Sequence, residues 1–146
     1  MKALSVRQPW ATLIACGEKT VECRSWKTSY RGPLLICASK GDSVGEDGLV
    51  CPGGVALAVV NLVDVRPMTR ADLYAAVMDD LEPEDQEEVL KGYAWHLKLQ
   101  YAVVPFPVKG KLNIYEVDAP LQKLPEQYEN HADYLYKTQG ITPQAN

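Results

Sequence analysis

The order of local patterns predicts an α+β fold, a mixed β-barrel with short flanking helices and one helical insertion. Two observations carry this. A strand, a short helix, several strands, a helical block and further strands follow one another along the chain, which suits a mixed barrel and not a doubly wound sheet. No Gly-rich phosphate loop follows a strand, so nucleotide folds of the Rossmann or P-loop kind are disfavoured. The length of 146 residues suits one domain with its own core.

Ala3 to Val6 reads as the first strand. A helix then opens at Gln8-Pro9-Trp10, with Pro9 at its first position, where a missing N–H costs nothing. Trp10, Leu13 and Ile14 fall at i, i+3 and i+4 and form one apolar face, and Gly17 stops the helix. Residues 19–26 read as extended. Alternation then puts Lys19, Val21 and Cys23 on one side and Thr20, Glu22 and Arg24 on the other.

Tyr30 to Pro33 is a turn, and the apolar run Leu34 to Ala38 is a buried strand. Residues 41–54 are loop-like, and Val55 to Val65 is a long central strand. Thr69-x-x-Asp72 resembles a capping box, with helical spacing continuing through Leu73, Ala76 and Val77 to about Asp79. A second short helix starts at Pro83 and ends before Gly92. Strand character returns over 93–99. Pro105 and Pro107 make 103–108 an irregular or edge segment, and 112–117 ends the barrel. The expected domain is 1–118, with the insertion at about 67–92. Residues 119–146 form a partly helical extension, with a helix around Tyr128 to Tyr136 and a disordered end.

Net charge is −4, which argues against sequence-blind binding to duplex nucleic acid. The charge is unevenly placed. Residues 1–40 hold seven Lys/Arg against Glu18 and Glu22, a net of +5, so the remainder carries −9. Seven acids crowd into Asp79 to Glu88. A basic first third suits a local site for an anionic ligand. The cysteines (Cys16, Cys23, Cys37, Cys51) form no Cys-x-x-Cys pair, so no structural zinc or other metal site is expected. The start lacks a signal peptide, which points to reduced thiols and a cytoplasmic protein. No apolar run is long enough to span a membrane. No cofactor is implied.

Three constellations could carry chemistry. Lys19 and Arg24 can grip a phosphate or a carbonyl oxygen, and Glu22 between them should stay ionised and accept a hydrogen bond from a base edge, a ribose hydroxyl or a water. An ion-pair network on an edge strand explains them as well. Ser5, Arg7, Gln8 and Trp10 form a second group, in which the Gln amide could read a base edge and the indole could stack, although Trp10 also fits the helix's apolar face. Trp26, Tyr30, Arg31 and Trp95 interleave aromatics with a cation, as base-binding surfaces do and as core aromatics also do. Lys40, Lys109 and Lys111 extend a positive rim. His96 and His131 are isolated, and His96 reads as structural. Cys23 lies beside Arg24 and near Lys19, which should depress its pKa, but no base is apparent to make it a nucleophile.

The residues Gly17-x-Lys19-x-x-Glu22-x-Arg24 match the GxKxxExR signature of ASCH domains. The flanking runs Ser5-x-Arg7-Gln8-Pro9-Trp10-Ala11 and Arg24-x-Trp26-x-Thr28-x-Tyr30-Arg31-Gly32-Pro33 resemble phage and bacterial members of that family. Gly53-Gly54, Tyr93-x-Trp95 and Pro107-Val108-Lys109-Gly110-Lys111 fit the same template, so the resemblance covers about residues 3–118. It implies a PUA-like β-barrel with a cleft in which the signature Lys, Glu and Arg converge, and contact with RNA or nucleotides. Some members resemble hydrolases: one branch deacetylates N4-acetylcytidine, and ribonuclease activity is attributed to another. The acetylcytidine branch has a Thr nucleophile where this chain has Glu22, and many similar proteins have His where it has Cys37.

Three functions follow as expectations. The first is an RNA- or nucleotide-binding module using Ser5, Arg7, Gln8, Trp10, Lys19, Glu22, Arg24, Trp26, Tyr30, Lys40, Trp95 and Lys109. The second is a metal-independent hydrolase on RNA or a modified nucleoside, with Glu22 as general base and Lys19 and Arg24 stabilising the transition state. The third is an adaptor that meets a protein partner through the acidic insertion. A monomer or weak dimer is expected.

Overall fold

The computed structural model describes residues 1–45 and 48–141. Its elements are β1 (Lys2–Val6), α1 (Trp10–Ala15), β2 (Val21–Arg24), β3 (Gly32–Ala38), β4 (Ser43–Val44), β5 (Val50–Cys51), β6 (Val55–Pro67), α2 (Asp72–Ala75), α3 (Pro83–Leu90), β7 (Tyr93–Pro107), β8 (Ile114–Glu116) and α4 (His131–Gln139). Six strands form one mixed sheet in the order β2-β7-β6-β3-β1-β8, and β4 and β5 form a separate hairpin. β1 and β3 run parallel, and the other pairs are antiparallel. The α+β class and the large mixed sheet agree with the expectation. The sheet stays open, since among the described residues no ladder joins β2 to β8.

Both faces of the sheet are covered, which explains the continuous apolar run in β3. Leu34 and Ile36 enter one cluster with Leu4, Val6, Val60, Leu62 and the Ala11–Ile14 face of α1. Leu35 and Cys37 enter another with Ala3, Ala56, Val59, Val103 and Tyr115. Successive residues of β1 and β3 therefore serve opposite faces, the period-two rule of a strand. A third cluster seats the insertion on the sheet: Met68, Leu73 and Ala76 pack on Val21 and Ala94.

Several expected bounds shift for local reasons. α1 begins at Trp10, with Pro9 one place earlier as its N-cap, and Gly17 follows it at φ +88°, the left-handed conformation that ends a helix without Cβ strain. The Asp72 carboxylate accepts the Thr69 N–H at 2.9 Å, one half of a capping box, while the Thr69 hydroxyl donates to the same carboxylate and caps nothing; α2 stops at Ala75 because Val77 turns to φ +58°. The two segments expected over 93–99 and 103–108 are one 15-residue strand. Pro105 is tolerated because it falls where the β6–β7 register slips, between the Ala58↔Ala102 and Ala56↔Phe106 pairs, so no ladder bond needs its N–H.

Residues after 118 are joined to the sheet. Leu124 N–H donates to Ala102 O, Val104 N–H donates to Gln122 O, and the His131 ring donates from Nε2 to Val103 O at 2.9 Å. Burial pushes the His131 pKa down, so the ring is held neutral there. α4 is closed by Asn130, whose Oδ1 accepts the Asp133 N–H, and by Gly140 in the left-handed conformation. It lies three residues later than the helix expected around Tyr128 to Tyr136. The last few residues, expected to be disordered, lie outside the described residues. Among the described residues no helix is long and apolar enough to cross a membrane.

Candidate functional site

The open seam of the sheet holds a cleft of about 1010 Å³. Its lining comes from six places: the end of β1 with Arg7 and Trp10, the strand β2 with Ser25 and Trp26, the end of β3 with Ser39 and Lys40, Gly54 just before β6, the β7–β8 connection from Val108 to Asn113, and Met78 of the insertion. The Arg24 side chain bridges the seam, where its Nη2 donates to Ser5 O at 2.5 Å.

Glu22 is the hub of the floor. Its Oε2 accepts from Arg24 Nε at 3.0 Å and lies 2.9 Å from Arg24 Nη2, while its Oε1 accepts the Cys23 N–H at 3.1 Å. Glu22 and Arg24 project to the same side of β2, as alternation predicts. Lys19 precedes the strand and reaches Glu22 from beneath: its Nζ is 3.7 Å from Glu22 Oε1, and its side chain is 0% exposed. That ammonium donates to Ala76 O at 2.5 Å. Burial pushes the Lys19 pKa down, and the Glu22 charge opposes the shift.

Around this floor stand four exposed cations, Arg7, Lys40, Lys109 and Lys111. None of them has an ion-pair partner among the described residues. Trp10 and Trp26 are half-buried and add flat apolar surface. At the β1 wall, the Ser5 and Tyr115 hydroxyls share a hydrogen bond of 2.7 Å. The buried Cys37 thiol adjoins the Tyr115 hydroxyl; burial pushes Cys37 up to about 11 and Tyr115 up to about 12.

The cleft thus gathers Ser5, Arg7, Trp10, Glu22, Arg24, Trp26, Lys40 and Lys109. Four other expected site residues lie elsewhere. Lys19 is sealed under the floor and has no open face for a ligand. Trp95 is a core residue, 0% exposed, with its Nε1–H donated to Trp26 O and its ring edge-on to Trp26 at 4.7 Å. Tyr30 turns away and donates its hydroxyl to Pro33 O. The Gln8 amide is used at the start of α1: Oε1 accepts the Thr12 N–H, and Nε2 donates to Thr12 Oγ1 and Pro52 O. It satisfies helix-terminal donors instead of reading a base.

The Cys23 expectation also reverses. Burial raises its pKa and outweighs the nearby Lys19 and Arg24. Sequence reasoning misses Met78, Leu112 and Tyr115 as site residues. Leu112 carries a signal, an apolar side chain set among Lys109, Gly110, Lys111 and Asn113, and it is 89% exposed at the cleft. Among the described residues no cluster of three His, Cys, Asp or Glu side chains could hold a metal ion.

Fold and site define a small α+β domain with an anion-attracting cleft at an open sheet seam. The sequence profile of the ASCH domain matches residues 4–142, and the chain belongs to that family. It is 31% identical over 140 residues to Activating signal cointegrator 1 of Homo sapiens and 30% identical to that of Mus musculus. Each match covers 82% of this chain and 23% of the relative, so the chain spans about a quarter of the length of these proteins. Among solved structures, ASCH from Zymomonas mobilis superposes with a TM-score of 0.56 at 13% identity, covering 86% of this chain and 88% of that one. A point mutant of the same Zymomonas mobilis protein gives 0.55 at 12% identity, with 80% and 89% covered. At these identities the likeness carries the fold alone.

Proposed function

We propose that this chain is an RNA- or nucleotide-binding ASCH domain of the PUA-like group, of the phage and bacterial type, and that the seam cleft is its binding site. One observation carries the reading: four cations without counter-ions among the described residues ring a cavity that also presents indole surface and the fixed Glu22–Arg24 pair. Arg7, Lys40, Lys109 and Lys111 take the phosphates. Glu22 and the Ser5 hydroxyl meet a base edge or a ribose hydroxyl. Trp10 and Trp26 stack or pack on the base, a contact worth roughly 1–3 kcal/mol per base. The free thiols of Cys16, Cys23 and Cys37 suit the reducing cytoplasm.

Hydrolysis of RNA or of a modified nucleoside is the second reading. Its support is the placement of Glu22 beside Arg24, a carboxylate and a cation facing one cavity. Against it, both Glu22 oxygens already accept hydrogen bonds, which leaves a poor general base. The exposed acidic face of α3 keeps a protein-adaptor role as a third.

Saturation-transfer NMR with pooled nucleosides, nucleotides and short RNA oligomers tests the first reading. Signal transfer that drops in Lys109→Ala/Lys111→Ala supports it, and equal transfer in both proteins refutes it. New product peaks with the unmodified protein, absent in Glu22→Gln, would establish the hydrolase instead.

A further inference from the structure

We infer that the helical insertion supplies the wall of the cleft against which the ligand's base lies, through Met78, and that Lys19 is the positioning residue holding that wall. This rests on the nucleotide reading of the same cleft. The insertion otherwise looks like a surface appendage, because α3 buries none of its residues. The turn after α2 is different. Ala76 is fully buried, and its carbonyl receives the Lys19 ammonium. One residue on, Val77 sits at φ +58°, a conformation that a β-branched residue adopts only where its surroundings impose it. Two residues on, Met78 is half-buried and lines the cleft.

The turn is held by backbone bonds at each step: Thr20 N–H to Ala75 O, Val77 N–H to Tyr74 O, and Met78 N–H to Leu73 O. Lys19 thus touches both halves of the site, the floor through Glu22 and the wall through Ala76. A buried ammonium is costly to keep in a fold, and linking the floor to the wall is what this one does. The wall it places is a thioether, unbranched and polarisable, suited to the face of an aromatic ring and unsuited to a phosphate. The cations lie on other elements of the cleft. The arrangement therefore sorts the ligand, with phosphates at the rim and the base against Met78.

The chain has three methionines, Met1, Met68 and Met78, so ε-¹³C-methyl labelling gives three resonances, and Met78→Leu identifies the third by its loss. A single-stranded RNA hexamer should shift the Met78 methyl and the 109–111 amides. Ribose 5-phosphate, which has no base, should shift the amides alone. Met78→Ala should weaken the hexamer by about 2- to 10-fold, as expected for one thioether–ring contact, and leave ribose 5-phosphate unchanged. Loop amides that move under the hexamer with a silent Met78 methyl would overturn the wall and leave the binding reading standing. Ribose 5-phosphate moving Met78 as far as the hexamer does would also overturn it. Silence at both places overturns both readings. In the ligand-free protein, Lys19→Leu should displace the Met78 methyl while Met1 stays in place. An unmoved Met78 would remove Lys19 from the positioning role, and if that variant does not fold, the wild-type titration still decides the wall.

Discussion

The insertion and the cleft rim handle charge in opposite ways. On the insertion, Arg70 pairs with Glu87, and Lys91 lies 3.0 Å from Glu88. Its surplus acids point to water from a helix with no buried residue. On the rim, Arg7, Lys40, Lys109 and Lys111 converge on one cavity, and no described carboxylate neutralises them. Matched or dispersed charge is what a solvated surface needs. Gathered, unmatched charge repels itself, and a bound anion relieves that repulsion. The acidic total of the chain therefore says little about its ligand, and the placement of the cations says more.

The comparison breaks most visibly at the floor. Glu22→Gln leaves the Lys19 ammonium buried with only the Ala76 carbonyl and releases Arg24 from its partner. Removing one member of a buried pair costs roughly 3 kcal/mol or more. Arg70→Ala on the insertion should cost less than about 1 kcal/mol, since both partners are exposed. Urea unfolding of the two variants measures the contrast. Similar losses would mean that the floor pair is no more constrained than a surface pair.

Alkaline pH probes the β1 wall, where Cys37 and Tyr115 share one core cluster. Cys37 has an ordinary thiol value of 9.0 and is pushed up to about 11 in the fold. The folded state keeps that proton when the unfolded chain has lost it. The stabilisation is complete below pH 9 and is lost as pH rises through 9 to 11, about 2–3 kcal/mol in all. Tyr115, raised from 10.0 to about 12, acts in the same direction one step later. Lys19 acts oppositely, because its lowered value means that rising pH relieves a buried charge. Comparing wild type with Cys37→Ala at pH 8 and pH 11 cancels Lys19 and reads the thiol together with its upward push on Tyr115. The wild type should lose more stability across that interval, and equal losses would refute the assignment.

Binding gives a smaller contrast. Lys109→Ala/Lys111→Ala should weaken a short single-stranded RNA by about 5- to 30-fold, as expected for two lost charge-assisted contacts. The salt dependence should flatten by about 0.7 per lost contact. A fall in affinity with an unchanged salt slope would mean that these lysines do not neutralise phosphates.

The sequence made some of this legible and hid the rest. Spacing pointed to Gly17, Glu22 and Arg24, because a helix stop and an alternating strand are local and fix neighbours within a few residues. The burial of Lys19 was hidden: its acceptor, Ala76 O, lies 57 positions away, and lysine is rarely buried at all. Trp26 and Trp95 looked alike, and only the pairing of β7 with both β2 and β6 decides that Trp95 faces the core. Gln8 looked like a reader of bases because its amide suits that task as well as it suits the Thr12 N–H. Met78 had no local mark, since its place depends on the backbone turn at Val77. The continuity of β7 through Pro105 depends on a register slip against β6 that no local pattern marks.

The smallest expected effect is the sharpest test of the contrast between the two surfaces. Glu84→Lys/Asp85→Lys reverses two acids in the first turn of α3, where neither has an ion-pair partner among the described residues. If the rim alone sets RNA affinity, the change should stay within about 2-fold at physiological salt, where screening acts over roughly 8 Å. The first-turn acids also complement the helix dipole, so a slight loss of stability should accompany the change without a loss of binding. An affinity gain of 10-fold or more, fading as salt is added, would show that the acidic surface repels nucleic acid at the cleft. The two surfaces would then be one electrostatic device, with the insertion limiting how long an RNA the rim can hold.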